Sequence, residues 1–114
     1  MLDTTKIQAD SIGFLEAVFQ TTRLIPKGKV LGYGHLAALI GKPRHARHVG
    51  TALQKSSAKD KIPWWRVVRS NGSIAMQGDP LRGPLQRRYL QREKVSFSGA
   101  NVNMKESRWI PELI

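Results

Sequence analysis

Between Leu36 and Leu53, two short apolar-periodic stretches are separated only by Gly41-Lys42-Pro43. Neither stretch can stand as a helix by itself, because isolated helices shorter than about 12–15 residues are marginal in water. A link of three residues forces them against each other. Tyr33 to Ile40 presents Leu36, Ala37, Leu39 and Ile40 as apolar positions, and Gly41 suits the left-handed residue that closes a helix. Pro43 suits the start of the next helix, over about Arg44 to Lys55. That helix divides into two faces: Ala46, Val49, Ala52 and Leu53 form one stripe, and Arg44, Arg47, His48, Thr51 and Lys55 form the opposite one. Gly50 stands mid-helix, where glycine costs about 1 kcal/mol relative to alanine. A glycine and a threonine beside arginines make a thin surface that a partner can approach closely. Two short helices, a tight turn and a basic outer face read as a helix-turn-helix.

The flanking segments extend this reading. Asp10 or Ser11 can cap a helix that runs to about Thr22, with Ile12, Leu15, Val18 and Phe19 on one face. Pro26-Lys27-Gly28-Lys29 is a turn, and Ser56 to Lys61 a polar loop. Trp65 to Arg69 is strand-like, Ser70-Asn71-Gly72-Ser73 suits a type I′ hairpin turn, and Ile74-Ala75 begins a return strand. A hairpin after a helix-turn-helix is a wing. Met76 to Gly83 is a loop. Pro84 to Lys94 is helical, with Leu85, Tyr89 and Leu90 inward and Arg87, Arg88 and Arg92 outward. Val95 to Ile114 is a short strand or extended tail held by Val95, Phe97, Val102 and Trp109. The expected fold is mainly α with a small β-hairpin, a winged helix-turn-helix. It forms one domain over residues 1–114, with the motifs in about 11–95 and a C-terminal extension at 96–114.

Charge names the kind of partner. The formal net charge of the 114 residues is +11, and the stretch from Arg23 to Lys94 holds 16 of the 19 basic residues against 3 acidic ones. An excess this concentrated belongs to the fold and points to a polyanion, with nucleic acid first. There is no cysteine, so disulfides, thiolate metal sites and thiol nucleophiles are excluded. With only His35, His45 and His48 besides, no structural zinc site and no cofactor are expected. No apolar run approaches the roughly 20 residues of a membrane-crossing helix, and the first ten residues lack a leader-like pattern. A monomer in the cytoplasm (nucleoid-associated) or nucleus is the expectation.

The motifs Ile25-Pro26-Lys27-Gly28-Lys29-Val30, Tyr33-Gly34, Leu36-Ala37, Ala46-Arg47-His48-Val49-Gly50, Ile62-Pro63-Trp64-Trp65-Arg66-Val67-Val68 and Asn71-Gly72 follow one another in order. Together they resemble the C-terminal DNA-binding domain of O6-alkylguanine-DNA alkyltransferases, over about Gly13 to Val95. In those enzymes a Pro-Cys-His-Arg-Val motif carries the alkyl-accepting cysteine; here Trp64 holds that position, as in the alkyltransferase-like proteins, which lack transferase activity. The resemblance implies that Arg47 enters the duplex through the minor groove and fills the gap left by a flipped nucleotide. Its small neighbours Ala46, Gly50 and Thr51 agree with this; the plain alternative is a solvated arginine. Tyr33 matches a tyrosine packed near the rotated phosphate, or else is an aromatic capping a helix. Trp64, Val67, Met76, Gln77 and Gly78 match the pocket for the extruded base. Arg44, Ala46, His48, Gly50, Thr51, Lys55 and Arg66 are the expected DNA contacts. Glu93 matches the glutamate of the enzymes' Cys-His-Glu relay, with no relay to serve here, and is read as structural. Trp65, where the family usually has histidine, is expected to fill core. By alternation along a strand, the two indoles should face opposite sides. Ser56 stands where an asparagine braces the active-site strand. Gln77 stands where some relatives carry a lesion-stacking arginine, a role Arg69 or Arg82 could take instead.

These features imply a non-enzymatic DNA damage sensor that holds O6-alkylguanine and flags it for nucleotide excision repair. The rival reading is a winged-helix transcription regulator or architectural DNA-binding protein. A third reading, a glycosylase, would need a carboxylate or a lysine at the pocket, and Asp79 is the only carboxylate near the lip.

Overall fold

The computed structural model describes residues 7–74 and 80–111. In chain order these form α1 (Ala9–Ile12), α2 (Phe14–Leu24), β1 (Leu31–Gly32), α3 (Tyr33–Leu39), α4 (Ala46–Gln54), β2 (Val67–Val68), α5 (Arg82–Arg92), β3 (Phe97–Ser98), β4 (Asn101–Val102) and α6 (Met104–Ser107). β1 and β2 pair in parallel, Leu31 opposite Val67 and Gly32 opposite Val68; β3 and β4 form an antiparallel hairpin. The tail joins the first pair. The Val30 N–H donates to the Ser107 carbonyl at 2.9 Å and the Trp109 N–H to the Val30 carbonyl at 2.7 Å. No helix among the described residues is long and apolar enough to cross a membrane.

Strand alternation divides the interior in two. Leu31 and Val67 face a cluster built on α2, α3 and α4, with Val18, Leu36, Ile40, Val49 and Leu53 fully or nearly fully buried. Val30, just before β1, and Val68, the residue after Val67, face a second cluster with Leu90, Val95 and Val102. The two-residue strands are thus the partition between the helix-turn-helix and the C-terminal half.

Several local expectations are corrected. Gly13 takes φ +91° and breaks the first helix in two, so Asp10 and Ser11 lie inside α1 instead of capping it. The break resets the helical phase. Ala17, Val18, Thr21 and Thr22 are buried, while Ile12 and Leu15 stay exposed. Burial of Thr22 is tolerated because its hydroxyl donates to the Val18 carbonyl at 2.7 Å. Asp10 pairs with Lys42 at 2.8 Å, tying α1 to the helix-turn-helix link. Pro43 does not start α4. The His45 N–H donates to the Lys42 carbonyl, so Pro43 and Arg44 are the central residues of a turn, where the fixed proline φ also fits. Gly41 does close α3, at φ +83°.

The Asn71-Gly72 turn is real but of another type. Asn71 is not at positive φ; Gly72 alone is, at +87°. The Gly72 N–H donates to the Arg69 carbonyl and the Arg69 N–H to the Ser73 carbonyl, a turn followed by a glycine bulge. The reason lies in packing: a Cβ on Gly72 would stand 2.2 Å from the Val102 carbonyl oxygen. No strand ladder continues from this turn among the described residues, and Ala75 of the expected return strand lies outside them.

α5 begins at Arg82 and buries Gly83, Gln86 and Leu90, leaving Leu85 exposed where the sequence placed it inward. Its end is a Schellman turn. Lys94 adopts φ +63°, its N–H donates to the Gln91 carbonyl, and the Val95 N–H reaches back to the Leu90 carbonyl. Val95 and Leu90 share the second core cluster, so the chain reversal is also held by apolar contact. This geometry fixes Glu93, the last residue before the reversal.

Gly72→Ala is expected to lower stability by about 3 kcal/mol or more, since steric overlap adds to the positive φ. Gly99→Ala, at φ +63° in open space, should cost about 1 kcal/mol. Chemical denaturation of both variants checks this; equal losses would mean that the Val102 backbone yields.

Candidate nucleic-acid interface

α4 turns Val49, Ala52 and Leu53 into the core and leaves Arg47, His48, Thr51, Gln54 and Lys55 exposed. A concavity of about 540 Å³ lies along it. Tyr33, Ala46, Arg47, Gly50 and Thr51 all line it, five of the residues singled out from the sequence. Arg69 and Ser70, from the turn after β2, also line it, as do Gly34 and Gln54. Of these, Gly34 and Gln54 belong to α3 and α4, while Ser70 carries no sequence signal that separates it from other turn residues. Arg44, His48 and Lys55 are exposed but do not line this groove. His48 leans toward His45, 4.9 Å between ring centroids, and toward Phe14 at the start of α2, 6.4 Å away.

The tryptophans do not alternate along a strand. Trp64–Arg66 is a 3₁₀ turn, closed by the Arg66 N–H on the Pro63 carbonyl, and β2 begins only at Val67. The two indoles meet edge to face at 85°, centroids 5.9 Å apart, and both touch Tyr89, at 6.2 Å and 4.8 Å. They still part company inward, Trp64 packing on the first core cluster and Trp65 on the second. Neither is fully buried. Trp65 is therefore not simply core: its Nε1–H donates to Glu93 Oε2 at 3.0 Å, and its ring borders a cavity of about 650 Å³ shared with Trp64 and Tyr89.

Three further expectations change. Val67, placed at the pocket lip by resemblance, is completely buried and faces Leu31. Arg66, counted as a DNA contact, is turned inward. Its Nε and Nη2 donate to the two carboxylate oxygens of Glu93, and its Nη1 donates to the Ile25 carbonyl at 2.8 Å. All its nitrogens are used within the protein. Ser56 does not brace the tryptophan turn, because its hydroxyl donates to the Leu53 carbonyl at 2.6 Å. Gln86 does this instead: its buried side-chain amide donates to the Trp65 and Val67 carbonyls at 3.0 and 2.9 Å. Met76, Gln77, Gly78 and Asp79 lie outside the described residues.

The residues expected to form one site thus sit around two concavities. Tyr33 and Arg47 line the groove along α4; Trp64 borders the other cavity. Arg82 connects them. Its guanidinium lies 4.0 Å from the centre of the Trp64 ring, and it donates to the carbonyl of Leu53, next to the groove residue Gln54.

Glu93 carries the strongest local electrostatics. Burial by itself would push its carboxyl up. The Arg66 and Trp65 hydrogen bonds, the guanidinium charge and the Gly28 N–H outweigh that and hold its pKa below the usual carboxylate value. Among the described residues, no three His, Asp or Glu side chains converge to hold a metal ion.

A helix-turn-helix with an exposed arginine set among small residues, on a fold with a strongly basic middle, is a DNA-binding domain. The family can be stated as well. Residues 13–95 match the model of the 6-O-methylguanine DNA methyltransferase DNA-binding domain, and the chain belongs to that family. It is similar to the DNA base-flipping protein of Vibrio parahaemolyticus, 38% identical over 98 residues that cover 86% of this chain and 97% of the relative. It is 32% identical over 103 residues to alkyltransferase-like protein 1 of Schizosaccharomyces pombe, covering 86% and 95%. The crystal structure of S. pombe Atl1 with damaged DNA containing O6-carboxymethylguanine superposes with a TM-score of 0.75 at 31% identity, over 82% of this chain and 92% of that one.

Replacing Glu93 by Gln should cost about 3 kcal/mol near pH 7, because Arg66 loses its counter-charge in a largely buried place. The folded pKa is depressed. The carboxylate's contribution is therefore complete above the ordinary carboxylate range and disappears as pH falls through the folded value. Urea unfolding of both proteins over pH should show the gap closing in acid. A constant gap down to about pH 3 would assign the loss to packing instead.

Proposed function

We propose that this protein recognises O6-alkylguanine in duplex DNA by flipping the nucleotide out of the stack, without transferring the alkyl group. α4 would lie along the minor groove, with Arg47 inserted where the base has left. The observation that carries this is the shared groove: Arg47 exposed on α4 beside Ala46, Gly50 and Thr51, with Tyr33 of α3 lining the same groove. Small side chains allow the duplex to come close, and the inserted arginine offsets part of the few kcal/mol that unstacking and unpairing cost. The names of the relatives, a base-flipping protein and an alkyltransferase-like protein seen on damaged DNA, support the same reading.

Trp64 then receives the purine. An indole offers stacking worth roughly 1–3 kcal/mol per base and no nucleophile. The chain has no cysteine to accept an alkyl group, so nothing is consumed and the complex lasts as long as binding does. A persistent complex suits a marker that hands the lesion to nucleotide excision repair. Arg82, already on the Trp64 ring, would supply the cation–π contact that Gln77 cannot.

Binding of one duplex with and without a single O6-methylguanine, at one salt concentration, tests the reading. Tighter binding of the damaged duplex is expected, with no label moved from radiolabelled alkyl groups to the protein. Equal affinities would sink lesion recognition. Arg47→Ala should weaken damaged-duplex binding by about ten- to a hundredfold more than undamaged. A proportional loss of both would make Arg47 a phosphate contact only. Arg82→Ala should weaken damaged-duplex binding by about two- to tenfold, with the undamaged duplex nearly unaffected.

A further inference from the structure

His45, the residue before α4, and His48, in its first turn, stand three apart and so share one side of the helix start, with Ala46 and Arg47 between them in the chain. Neither lines the groove that holds Arg47, and nucleotide flipping by Arg47 and Trp64 uses neither. We propose that these two imidazoles bind a divalent, nitrogen-seeking metal ion such as zinc, and that a phosphate oxygen of the bound duplex completes its coordination.

The rings already stand at chelating distance, with centroids 4.9 Å apart. A metal ion about 2.0–2.1 Å from an imidazole nitrogen lies about 3.2 Å from the ring centre, so two rings bound at an angle of about 90–110° have centres about 4.5–5.2 Å apart. The ring planes differ by 43°, so the pair is not a parallel stack. Phe14 packs on both rings, at 5.9 and 6.4 Å, and limits their movement. The His45 backbone is held on either side: its N–H donates to the Lys42 carbonyl, and its carbonyl accepts from the Val49 N–H. His45 Nδ1 is buried and has no hydrogen-bond partner. A polar atom left in that state is costly. In the neutral ring it can carry the lone pair that a metal ion takes up.

The kind of ion and the need for DNA follow from what else is present. Imidazole nitrogens suit zinc, copper and nickel, whereas magnesium and calcium take oxygen. The protein offers two ligands only: among the described residues no third histidine or carboxylate joins them. The charged residues next to the pair in the chain, Arg44 and Arg47, are exposed and positive, and Asp10 is engaged with Lys42. A divalent ion on the free protein is therefore short of ligands and repelled. A duplex phosphate supplies both the oxygen ligand and the negative charge, so ion and duplex should bind cooperatively. This rests on the reading that α4 faces the duplex.

The test is the affinity for an undamaged duplex, at one salt concentration, in EDTA and in micromolar zinc chloride. Zinc should tighten binding by the wild-type protein about fivefold or more. His45→Gln and His48→Gln each keep a single imidazole and should lose the enhancement. His35→Gln, at an exposed histidine on α3, should keep it. Each variant is compared with itself in EDTA, so any direct contact of His48 with DNA cancels. Absence of tightening in the wild type overturns the proposal. So does an enhancement that survives in either His45→Gln or His48→Gln, or an equal enhancement by magnesium at the same concentration, which would place the ion on the DNA alone. Lesion preference and its loss in Arg47→Ala are measured in EDTA, so the flipping reading and the metal site can fail independently.

Discussion

The Arg66–Glu93 pair is the contact on which the tryptophan turn depends. β1 and β2 are only two residues long, and two rungs of a parallel ladder cannot orient a turn that carries two indoles. Arg66 makes up the difference. Its fork grips Glu93 at the end of α5, and its remaining nitrogen grips the Ile25 carbonyl just after α2. Glu93 in turn holds the Trp65 N–H and the Gly28 N–H. One ion pair thus ties the end of α2, the turn before β1, the tryptophan turn and the end of α5. With side chains 15% and 9% exposed, the pair has given up much of its hydration, so its net contribution to stability is small compared with the cost of breaking it. Its value is geometric.

Gln86 complements it from within the same helix. A side-chain amide has two donors, and both acceptors here are backbone carbonyls on either side of Arg66. Those carbonyls lie where a short 3₁₀ turn passes into a short strand, the place where regular pairing leaves acceptors unsatisfied. A buried glutamine inside a helix is unusual on burial statistics, and its two bonds are what make it tolerable. Ser56, on the other side of the tryptophan turn, uses its hydroxyl locally on the Leu53 carbonyl. The brace of this turn comes from α5.

The parts of the fold legible in the sequence are those set by local spacing. Gly41-Lys42-Pro43 demanded two abutting helices, and α3 and α4 are there. The apolar stripe Val49, Ala52, Leu53 put Arg47 outside, and it is. What escaped depends on partners distant along the chain. Arg66 stands in a basic region and reads as a surface residue until Glu93, 27 positions on, is folded against it. Gln86 sits between basic residues in a helix that looks solvated, and only the position of β2 explains its burial. The phase of α2 was lost because Gly13 reads as a tolerated helix residue, whereas its φ of +91° divides two helices. Strand alternation would send the two tryptophans to opposite faces with Trp65 as core; instead both border one cavity, and only their inward packing differs. A 3₁₀ turn spaces adjacent side chains by about 120°, and that, too, sends one to each core cluster.

Arg82 gives the two concavities a physical link under the proposed function. Its guanidinium covers one face of Trp64 and is anchored on the Leu53 carbonyl at the end of α4. A purine arriving at that face competes with a contact worth about 0.5–2 kcal/mol, against roughly 1–3 kcal/mol for its own stacking. The competition is mild, and the guanidinium need not be lost. Its anchor lies on the helix that also carries Arg47, so it can settle on the outer face of the base while Trp64 holds the inner one. The covered state then shields that face of the ring from water. It lowers the apparent affinity only by the fraction of time the face is occupied. Because the anchor is a backbone carbonyl in the last turn of α4, a shift of that helix on the duplex would move Arg82 directly, without any path through the core.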